Sequence, residues 1–355
     1  MQWGARLLVA VLSVVITACE PSSTDLPPDP IPEPQPRPEP EPQPPPPPVE
    51  PPPERPVEPP SPVTLDTISA MTFNIYHDGA NETLRIGPWE ARRDIVAREI
   101  SEASADVVGL QEAYMWQVEW LLLQLPGYSH VGRGRDADGG GESVTILFRA
   151  DRFTVEESGD FWLSDTPDRP GSIGGDAWGG MSIPRIVTWT RLGIRASDGD
   201  LYVYNAHLPP NENGGPQARR LGVILLAERI GTRSSPAAPF ILLGDLNSPE
   251  DAFPLRYLTH EARADGNRLS PVRVVDTWRE VNGGDRGTRC RNDFAGRPVA
   301  HGSRVDYVLA MDTTWTDDSG SDRSTADEIL SARALTPMPS CGSDHIGVIS
   351  RFVLP

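Results

Sequence analysis

The chain has 355 residues and a formal net charge of −18, and 22 of its 39 prolines lie between Pro21 and Pro62. Residues 64–355 have ordinary globular composition and suffice for one large domain or two small ones. This excludes a collagenous, a wholly disordered or a polytopic membrane protein. All 32 basic residues are arginine, which we interpret as a habit of genome composition rather than as a sign of function.

The negative charge is shared between two regions. Residues 20–63 carry nine acidic residues and two arginines, and Arg6 adds one positive charge, which leaves −12 for residues 64–355. Such acidity argues against tight, nonspecific binding of nucleic acid. It does not exclude a phosphate substrate, because a bound metal ion can reverse the local field.

Residues 1–19 are typical of an export signal. Arg6 precedes the apolar run Leu7–Ile16, which is too short to span a bilayer. The run ends in Ile16-Thr-Ala-Cys19, which resembles the bacterial lipobox. We therefore predict lipidation of Cys19, export, and a lipid anchor in a bacterial membrane, facing the periplasm or the cell surface. The alternative is a plain secretory signal with an incidental cysteine.

Residues 20–63 alternate proline with Glu, Gln and Asp. Such a segment cannot bury a core and is expected to be a disordered linker, extended as polyproline II. At about 3.1 Å per residue it would reach roughly 130 Å from the membrane. We interpret it as an inert tether, with a ligand for proline-binding domains as the alternative.

Residues 64–355 alternate apolar runs with amphipathic segments and are predicted to form one α/β domain. The pattern predicts helices over Trp89–Ile100, Val118–Leu125 and Gln217–Ile230. It predicts strands over Ile68–Tyr76, Asp106–Glu112, Val144–Phe148, Arg185–Leu192, Leu201–His207, Phe240–Leu243, Arg304–Leu309 and Ile346–Leu354.

Polar residues interrupt these strands at or near their ends. Residues two apart face the same side of an extended chain, and burying charge in a strand is costly unless the charge is paired or binds a metal. One such residue would be a satisfied turn or cap, but nine together predict a site. They are Asn74, Glu112, Asn205, His207, Asp245, Asn247, Asp306, Asp344 and His345.

The residue types indicate the chemistry of that site. Oxygen ligands without a Cys–His cluster suit Mg²⁺, Mn²⁺ or Ca²⁺, and histidines with carboxylate partners supply acid, base or charge-stabilising groups. Together they suit hydrolysis of a phosphate ester. The sequence has no G-x-S-x-G elbow and no Walker A motif. Gly139–Gly141 lacks a strand–loop–helix context, and we interpret it as a flexible loop.

Six short motifs in order resemble the endonuclease/exonuclease/phosphatase superfamily, which includes DNase I and neutral sphingomyelinases. They are Met71-Thr-Phe-Asn74, Leu110-Gln-Glu112, Asn205-Ala-His207-Leu, Gly244-Asp245-Leu-Asn247, Val305-Asp306-Tyr-Val and Ser343-Asp344-His345. The resemblance covers residues 66–355 and implies a DNase I-like fold. That fold is a four-layer α/β sandwich of two packed mixed sheets flanked by helices.

The resemblance also implies roles for the residues. Glu112 would be the main metal carboxylate, with Asn74 beside it and Asp344 opposite. Asp245 would orient or deprotonate the attacking water, and Asn247 would hold the phosphate or that water. His345, supported by Asp306, and His207, supported by Glu142, would flank the scissile phosphate. Arg185 and Asn205 are candidates for phosphate contacts, and the alternative for Arg185 is a surface or structural arginine.

The loop Gly287-Thr-Arg-Cys290 departs from the family pattern. With Cys19 lipidated, Cys290 and Cys341 remain, and in an oxidising compartment they can form a disulfide or stay free. If bonded, they would tie this loop three residues from Asp344.

The leading interpretation is a monomeric, lipid-anchored, metal-dependent phosphodiesterase of nuclease type, acting on nucleic acid. The alternatives are a sphingomyelinase-like enzyme acting on phospholipid and a phosphomonoesterase. A noncatalytic binding lipoprotein on the same fold is the remote alternative. The completeness of the motifs argues against it, because a scaffold without activity has no need to keep Glu112, Asp245 and His345.

Overall fold

Two six-stranded sheets packed face to face form the centre of the domain. The computed structural model describes residues 67–283, 287–295, 297–312, 329–335 and 340–354. The signal, the lipidated Cys19 and the linker predicted over residues 1–63 lie outside the described residues. Within the described ranges, no helix has both the length and the apolar composition needed to cross a bilayer.

The structure describes five α-helices, two 3₁₀ turns and sixteen strands in these residues. The helices are α1 (Trp89–Ala103), α2 (Met115–Gln124), α3 (Gly215–Gly231), α4 (Phe253–Leu258) and α5 (Thr277–Asn282), and two 3₁₀ turns cover Asp176–Trp178 and Asp265–Asn267. The strands are β1 (Thr67–Asn74), β2 (Val107–Gln111), β3 (Ala113–Tyr114), β4 (Tyr128–Val131), β5 (Glu142–Ser143), β6 (Ile146–Arg149), β7 (Phe153–Trp162), β8 (Ile186–Ile194), β9 (Asp200–His207), β10 (Phe240–Asp245), β11 (Val274–Asp276), β12 (Arg289–Asn292), β13 (Pro298–His301), β14 (Asp306–Met311), β15 (Ile329–Ala334) and β16 (Val348–Val353).

Both large sheets are mixed. The first has the order β15-β16-β1-β2-β6-β4 and the second β11-β14-β10-β9-β8-β7. In each sheet one central pair is parallel, β1 with β2 and β9 with β10, and the other pairs are antiparallel. The pairs β3–β5 and β12–β13 form two small ribbons.

Two apolar cores explain the layers. Leu201 and Val203 of β9 pack with the first sheet and α1, whereas Tyr202 and Tyr204 of the same strand pack with α3 and α4 on the opposite face. Alternate residues of a strand point to opposite faces, so β9 is apolar on both sides because both sides are covered. The predicted four-layer α/β fold is confirmed.

Every strand and helix predicted from the sequence is present, with ends shifted by a few residues. The prediction omitted β7, although it has ten residues. β7 is an edge strand, and its charged residues, such as Glu156 and Glu157, hide the apolar pattern. Charged side chains on an edge strand discourage pairing with other chains.

Candidate active site

Strand register places three titratable side chains in one row at an edge of the second sheet. His207 lies opposite Asp245 in the parallel pair β9–β10, and Asp245 lies opposite Asp306 in the antiparallel pair β10–β14. All three residues are buried. Because buried ionisable groups need partners or a bound ion, this row marks a functional site.

The first sheet brings a carboxylate to the same place. β1 and β2 end side by side at Asn74 and Gln111, and Glu112 follows directly. The amide nitrogen of Asn74 donates to Glu112 Oε1 at 2.9 Å and to Asp245 Oδ2 at 3.2 Å. Asn74 is fully buried, and its Oδ1 accepts from the backbone N–H of Tyr76. These bonds favour an orienting role for Asn74 rather than direct ligation of a metal.

Two residues of the site have left-handed backbone conformations. Glu112 has φ 61° and Asn247 has φ 47°. Asparagine tolerates this region, but for a residue such as Glu it is uncommon. Strain of this kind costs about 1–3 kcal/mol and is concentrated at functional sites. The left-handed backbone conformation of Glu112 therefore supports a functional role for this residue.

His345 and Asp306 form a buried pair. His345 Nδ1 lies 2.8 Å from Asp306 Oδ2, and the Thr288 hydroxyl donates to the same oxygen at 2.6 Å. Burial acts to lower the pKa of His345, but the nearby carboxylates of Asp306, Asp344 and Asp245 outweigh it and raise that pKa to about 10. The His345 ring is therefore a cation at neutral pH, with Nε2 lying 3.7 Å from Asp245 Oδ2.

His207 has the opposite charge state. Burial, together with the positive charges of Arg185 and His345, holds its pKa well below the usual value. Its Nδ1 lies 2.9 Å from a guanidinium nitrogen of Arg185, and its Nε2 lies 2.9 Å from the amide nitrogen of Asn247. The ring is therefore neutral at pH 7, with a nitrogen donor facing each of its two nitrogens.

This arrangement leaves a surplus of hydrogen-bond donors. A neutral imidazole accepts at one nitrogen only, so Arg185 and Asn247 cannot both donate to His207. In addition, Nε of Arg185 is buried and has no acceptor among the described residues. Because unmatched buried donors are unfavourable, the cluster is suited to an anion that accepts from several donors at once. Arg185 is buried within the site, not a surface arginine.

The predicted support of His207 by Glu142 is not what the structure shows. The Glu142 carboxylate binds Arg135 at 2.5 Å, and the partner of His207 Nδ1 is Arg185. Arg185 directly precedes β8, which is the neighbour of β9, so its side chain reaches the imidazole from the adjacent strand. Glu142 still lines the small cavity that contains Glu112 and His207.

Asn205 makes its hydrogen bonds to buried groups in the protein interior. Its amide nitrogen donates to the carbonyls of Leu110 and Thr145 at 2.8 and 2.9 Å, and its oxygen accepts from Gln111 at 2.7 Å. The residue is fully buried, and Gly109 leaves room for it, since a Cβ there would lie 2.9 Å from the Asn205 amide. This geometry favours a bridge between the two sheets over the predicted phosphate contact.

Glu112 and Asp344 form the acidic side of the site. Burial, with the negative charges of Asp344 and Glu142, raises the pKa of Glu112 to about 7. A divalent cation would relieve this repulsion, and carboxylate oxygens suit Mg²⁺, Mn²⁺ or Ca²⁺. Asp245, Asp306 and His345 also bring potential ligand atoms within 4.8 Å of one another, but His345 and Asp306 already bind each other. Glu112 and Asp344 are therefore the carboxylates whose mutual repulsion a cation would relieve.

The family model described as the Endonuclease/Exonuclease/phosphatase family matches residues 71–345, a range that begins at Met71 of β1 and ends at His345. The chain belongs to this family. The predicted enzyme class, a hydrolase acting on phosphate esters, is thereby confirmed. No functionally curated protein matches the chain significantly.

Solved structures share the fold. A family protein from Bacteroides thetaiotaomicron has a TM-score of 0.65 and 23% identity, over 81% of this chain and 95% of its own. A mannosyl-6-phosphatase of the same species has a TM-score of 0.64 and 24% identity, over 81% of this chain and 100% of its own. The human Nocturnin catalytic domain has a TM-score of 0.57 and 17% identity, over 82% and 94% of the two chains.

A buried arginine that was not predicted from the sequence joins the loop after β1 to the segment that carries Asp344. Arg92 of α1 donates to the carbonyls of Ile75, Tyr76 and His77, which follow β1, and to Gly342, two residues before Asp344. The sequence pattern of this amphipathic helix did not indicate a buried role for Arg92, because exposed arginines recur along such a helix at the same spacing. Arg92 therefore holds the loop that follows Asn74 against the segment that leads to Asp344.

The loop before β12 carries two further residues that the sequence did not indicate. Thr288 holds Asp306 through its hydroxyl. A guanidinium nitrogen of Arg289 lies 3.5 Å from Asn247 Oδ1, which brings a positive charge to the phosphate side. The departure of this loop from the family pattern was the one available signal.

Cys290 and Cys341 are bonded, with an S–S distance of 2.07 Å. The backbone N–H of Cys290 donates to the carbonyl of Asp344 at 2.6 Å, and that of Cys341 donates to Asn292 Oδ1 at 2.8 Å. The disulfide therefore joins β12, which directly follows Thr288, to the segment that carries Asp344 and His345.

Replacing both cysteines, Cys290→Ser with Cys341→Ser, is expected to lower the free energy of unfolding by about 2–4 kcal/mol. Hydrolysis should fall more than stability alone explains, because Asp344 and Thr288 lose their common anchor. Urea unfolding and steady-state kinetics below the unfolding range measure the two effects. Cys19→Ser is the matched control, and a double variant as stable and active as this control would contradict the role.

Proposed function

We propose that the protein is a divalent-metal-dependent phosphoesterase that removes a terminal phosphate from a small polar molecule. The observation that carries the proposal is the donor surplus around His207, opposite the carboxylates of Glu112 and Asp344. One side of the site suits a phosphate and the other a cation. Both lie within the stretch matched by the family.

Glu112 and Asp344 would hold the cation, with Asn74 orienting Glu112. When bound, such an ion supplies Lewis-acid polarisation of a phosphoryl oxygen. The other residues act directly on water and phosphate. Asp245 Oδ2 lies 3.6 and 3.7 Å from the Nε2 atoms of the two histidines, so water bound to Asp245 would meet a phosphate held between the two rings.

The two histidines would act differently in that step. His345, as a cation held by Asp306, would stabilise charge on the phosphate or give a proton to the leaving oxygen. His207, as a neutral ring, would contribute a hydrogen bond beside Arg185. Asp245 is buried, and its pKa is raised by burial and by the charge of Asp306, which suits a carboxylate that accepts a proton from water.

The positive charge around His207 favours a terminal phosphate over an internal phosphodiester. Arg185 and Arg289 contact His207 and Asn247 directly, and Arg135 lines the same cavity. A monoester carries a second negative charge that these guanidinium groups would match. The net charge of about −12 over residues 64–355 also disfavours a long polyanion.

A nuclease-type phosphodiesterase is the second candidate. The protonated His345 supports it, because departure of an alkoxide from a diester needs a proton donor. The contact of His207 Nδ1 with Arg185 weakens it, because burial and this positive charge lower the pKa of His207 and make it the less able acid. The sphingomyelinase-like alternative has no specific contact in its favour.

The enzyme would act outside the cytoplasm, tethered through Cys19. Support comes from the export signal and the proline-rich linker in the sequence. The Cys290–Cys341 disulfide adds a second argument, because structural disulfides persist in oxidising compartments.

We expect the full chain to release phosphate from p-nitrophenyl phosphate or a hexose 6-phosphate with Mg²⁺, Mn²⁺ or Ca²⁺, and not with EDTA. Glu112→Gln should abolish both this activity and the rise in Tm produced by the metal, while Glu119→Gln, an exposed acid on α2, should change neither. Plasmid DNA, RNA, bis(p-nitrophenyl) phosphate and sphingomyelin are tested alongside. Cleavage of these with no monoester turnover would refute the terminal-phosphate proposal, and a folded protein silent on all of them would refute the enzyme proposal.

Arg185→Gln is expected to lower kcat/KM for the monoester by about 10- to 100-fold, as for loss of a charge-assisted hydrogen bond. The decrease should be smaller for a diester, which carries one negative charge. Steady-state kinetics on both substrates make the comparison. Arg191→Gln is the control, because Arg191 lies in β8, the strand that Arg185 precedes, and is paired with Glu157 and Asp200. Equal losses on both substrates would argue against charge matching by Arg185.

Replacing Cys19 by Ser should prevent incorporation of labelled palmitate and move the protein from the membrane fraction to the soluble fraction of a bacterial host. The reason is that Cys19 would be the attachment atom for the lipid. Labelling that persists in Cys19→Ser would rule out this anchor, and Ser22→Ala, a substitution three residues further along, serves as the control.

A further inference from the structure

The loop between β9 and α3 carries a buried asparagine, Asn213, six residues after His207. Its side chain makes three hydrogen bonds to the backbone of the segment that precedes β8. Oδ1 accepts from the N–H groups of Ser182 and Ile183 at 2.8 and 3.0 Å, and Nδ2 donates to the carbonyl of Ile183 at 2.9 Å. Asn213 thus pairs with both backbone groups of Ile183, as a neighbouring strand would.

The segment that Asn213 binds leads directly to Arg185. Ser182 and Ile183 are exposed, Ile183 to 39%, so burial of apolar side chains does little to fix this stretch. Pro184 has no backbone N–H to donate. The carbonyl of Arg185 accepts from the N–H of Leu163 at 2.8 Å, and β8 begins at the next residue. Arg185 is therefore held by the second sheet on its C-terminal side and by Asn213 on its N-terminal side.

The loop that presents Asn213 is itself held by a buried arginine of α3. Arg219 donates to the carbonyl of Pro209 at 3.0 Å and to Asn211 Oδ1 at 2.8 Å. This loop leaves β9 directly after His207. Because these bonds fix the loop, Asn213 has a defined position relative to the His207 imidazole.

Together these contacts close a ring of hydrogen bonds on the phosphate side of the site. Arg185 reaches His207 Nδ1 at 2.9 Å. The loop that follows His207 returns through Asn213 to Ile183, which lies two residues before Arg185. The Nε atom of Arg185 is buried and has no acceptor among the described residues, so it does not help to fix the guanidinium. A shift of the backbone before Arg185 would therefore move its guanidinium relative to His207.

We propose that Asn213 is a positioning residue for Arg185. The proposal rests on the proposed function, in which the Arg185 guanidinium matches the charge of a terminal phosphate. Asn213 acts through the backbone of residues 182–183 and has no contact of its own with the phosphate. The effect of replacing Asn213 is therefore coupled to the presence of Arg185, as for residues that belong to one hydrogen-bond network.

The first test needs no substrate. In the full chain labelled with ¹⁵N, the Nε–H signal of Arg185 is identified by its absence in Arg185→Gln. We expect Asn213→Ala to move or broaden this signal, because the guanidinium loses its fixed position. Asn282→Ala is the matched control and should leave the signal in place, since Asn282 also joins two segments, by donating to the carbonyls of Trp278 and Ala332. An Arg185 signal that Asn213→Ala leaves unchanged would overturn the proposal.

The second test is a double-mutant cycle with p-nitrophenyl phosphate. Asn213→Ala is expected to lower kcat/KM by about 10-fold in the otherwise unaltered chain, as for a displaced active-site group. In the Arg185→Gln background the same substitution should lower it by less than about twofold, because no guanidinium is left to position. Asn282→Ala should change neither value. Equal losses in the two backgrounds would contradict the proposal, since Asn213 would then act on the fold and not through Arg185.

A second variant serves if Asn213→Ala does not fold. Asn213→Asp keeps the acceptor oxygen for Ser182 and Ile183 and loses the donor, so both readouts should change in the same direction as for alanine. No change in either readout would contradict the proposal. If the unaltered chain hydrolyses no phosphate ester, the proposed function fails, and the Arg185 signal alone then decides whether Asn213 positions the guanidinium.

Discussion

Placing a carboxylate between two imidazole rings in the interior of a protein is the constraint on which the site depends. Asp245 can stay there only because strand register sets His207 beside it, because the His345 ring lies 3.7 Å from its carboxylate, and because Asn74 crosses from the first sheet to donate to it. Without both sheets the charge would be unpaired and too costly to bury. The packing of the two sheets and the burial of Asp245 therefore depend on the same hydrogen bonds.

The two histidines of the site have opposite charge states, although both are buried in the same site. Both histidines are buried, and burial alone would make both neutral. Asp306 reverses this for His345, while Arg185 reinforces it for His207. Because their pKa values are shifted in opposite directions, one histidine is a cation and the other a neutral hydrogen-bonding group at the same pH. In the proposed reaction, His345 would therefore be the acid or the charge-stabilising group, on one side of the phosphate.

Much of this was readable from the sequence, and the part that was not has a physical reason. Polar residues at the ends of apolar strands identified Asp245 and His207, because parallel neighbours end at one edge. The sequence could not show which side chain reaches His207, since Arg185 and Glu142 both lie on neighbouring segments and only three-dimensional packing chooses between them. It also could not separate Asn205, turned toward Gln111, from His207 two residues on, because both point to the same face of β9.

The disulfide between Cys290 and Cys341 closes a covalent ring of chain around the segment that contains Asp306. A protease that cuts once anywhere between these two cysteines would leave two fragments that are still one molecule. Asp344 and His345 would remain attached to the part that carries Glu112 and Asp245. The chain could thus be cut once in this region without losing Asp344 and His345 by diffusion, provided that its surroundings keep the disulfide oxidised.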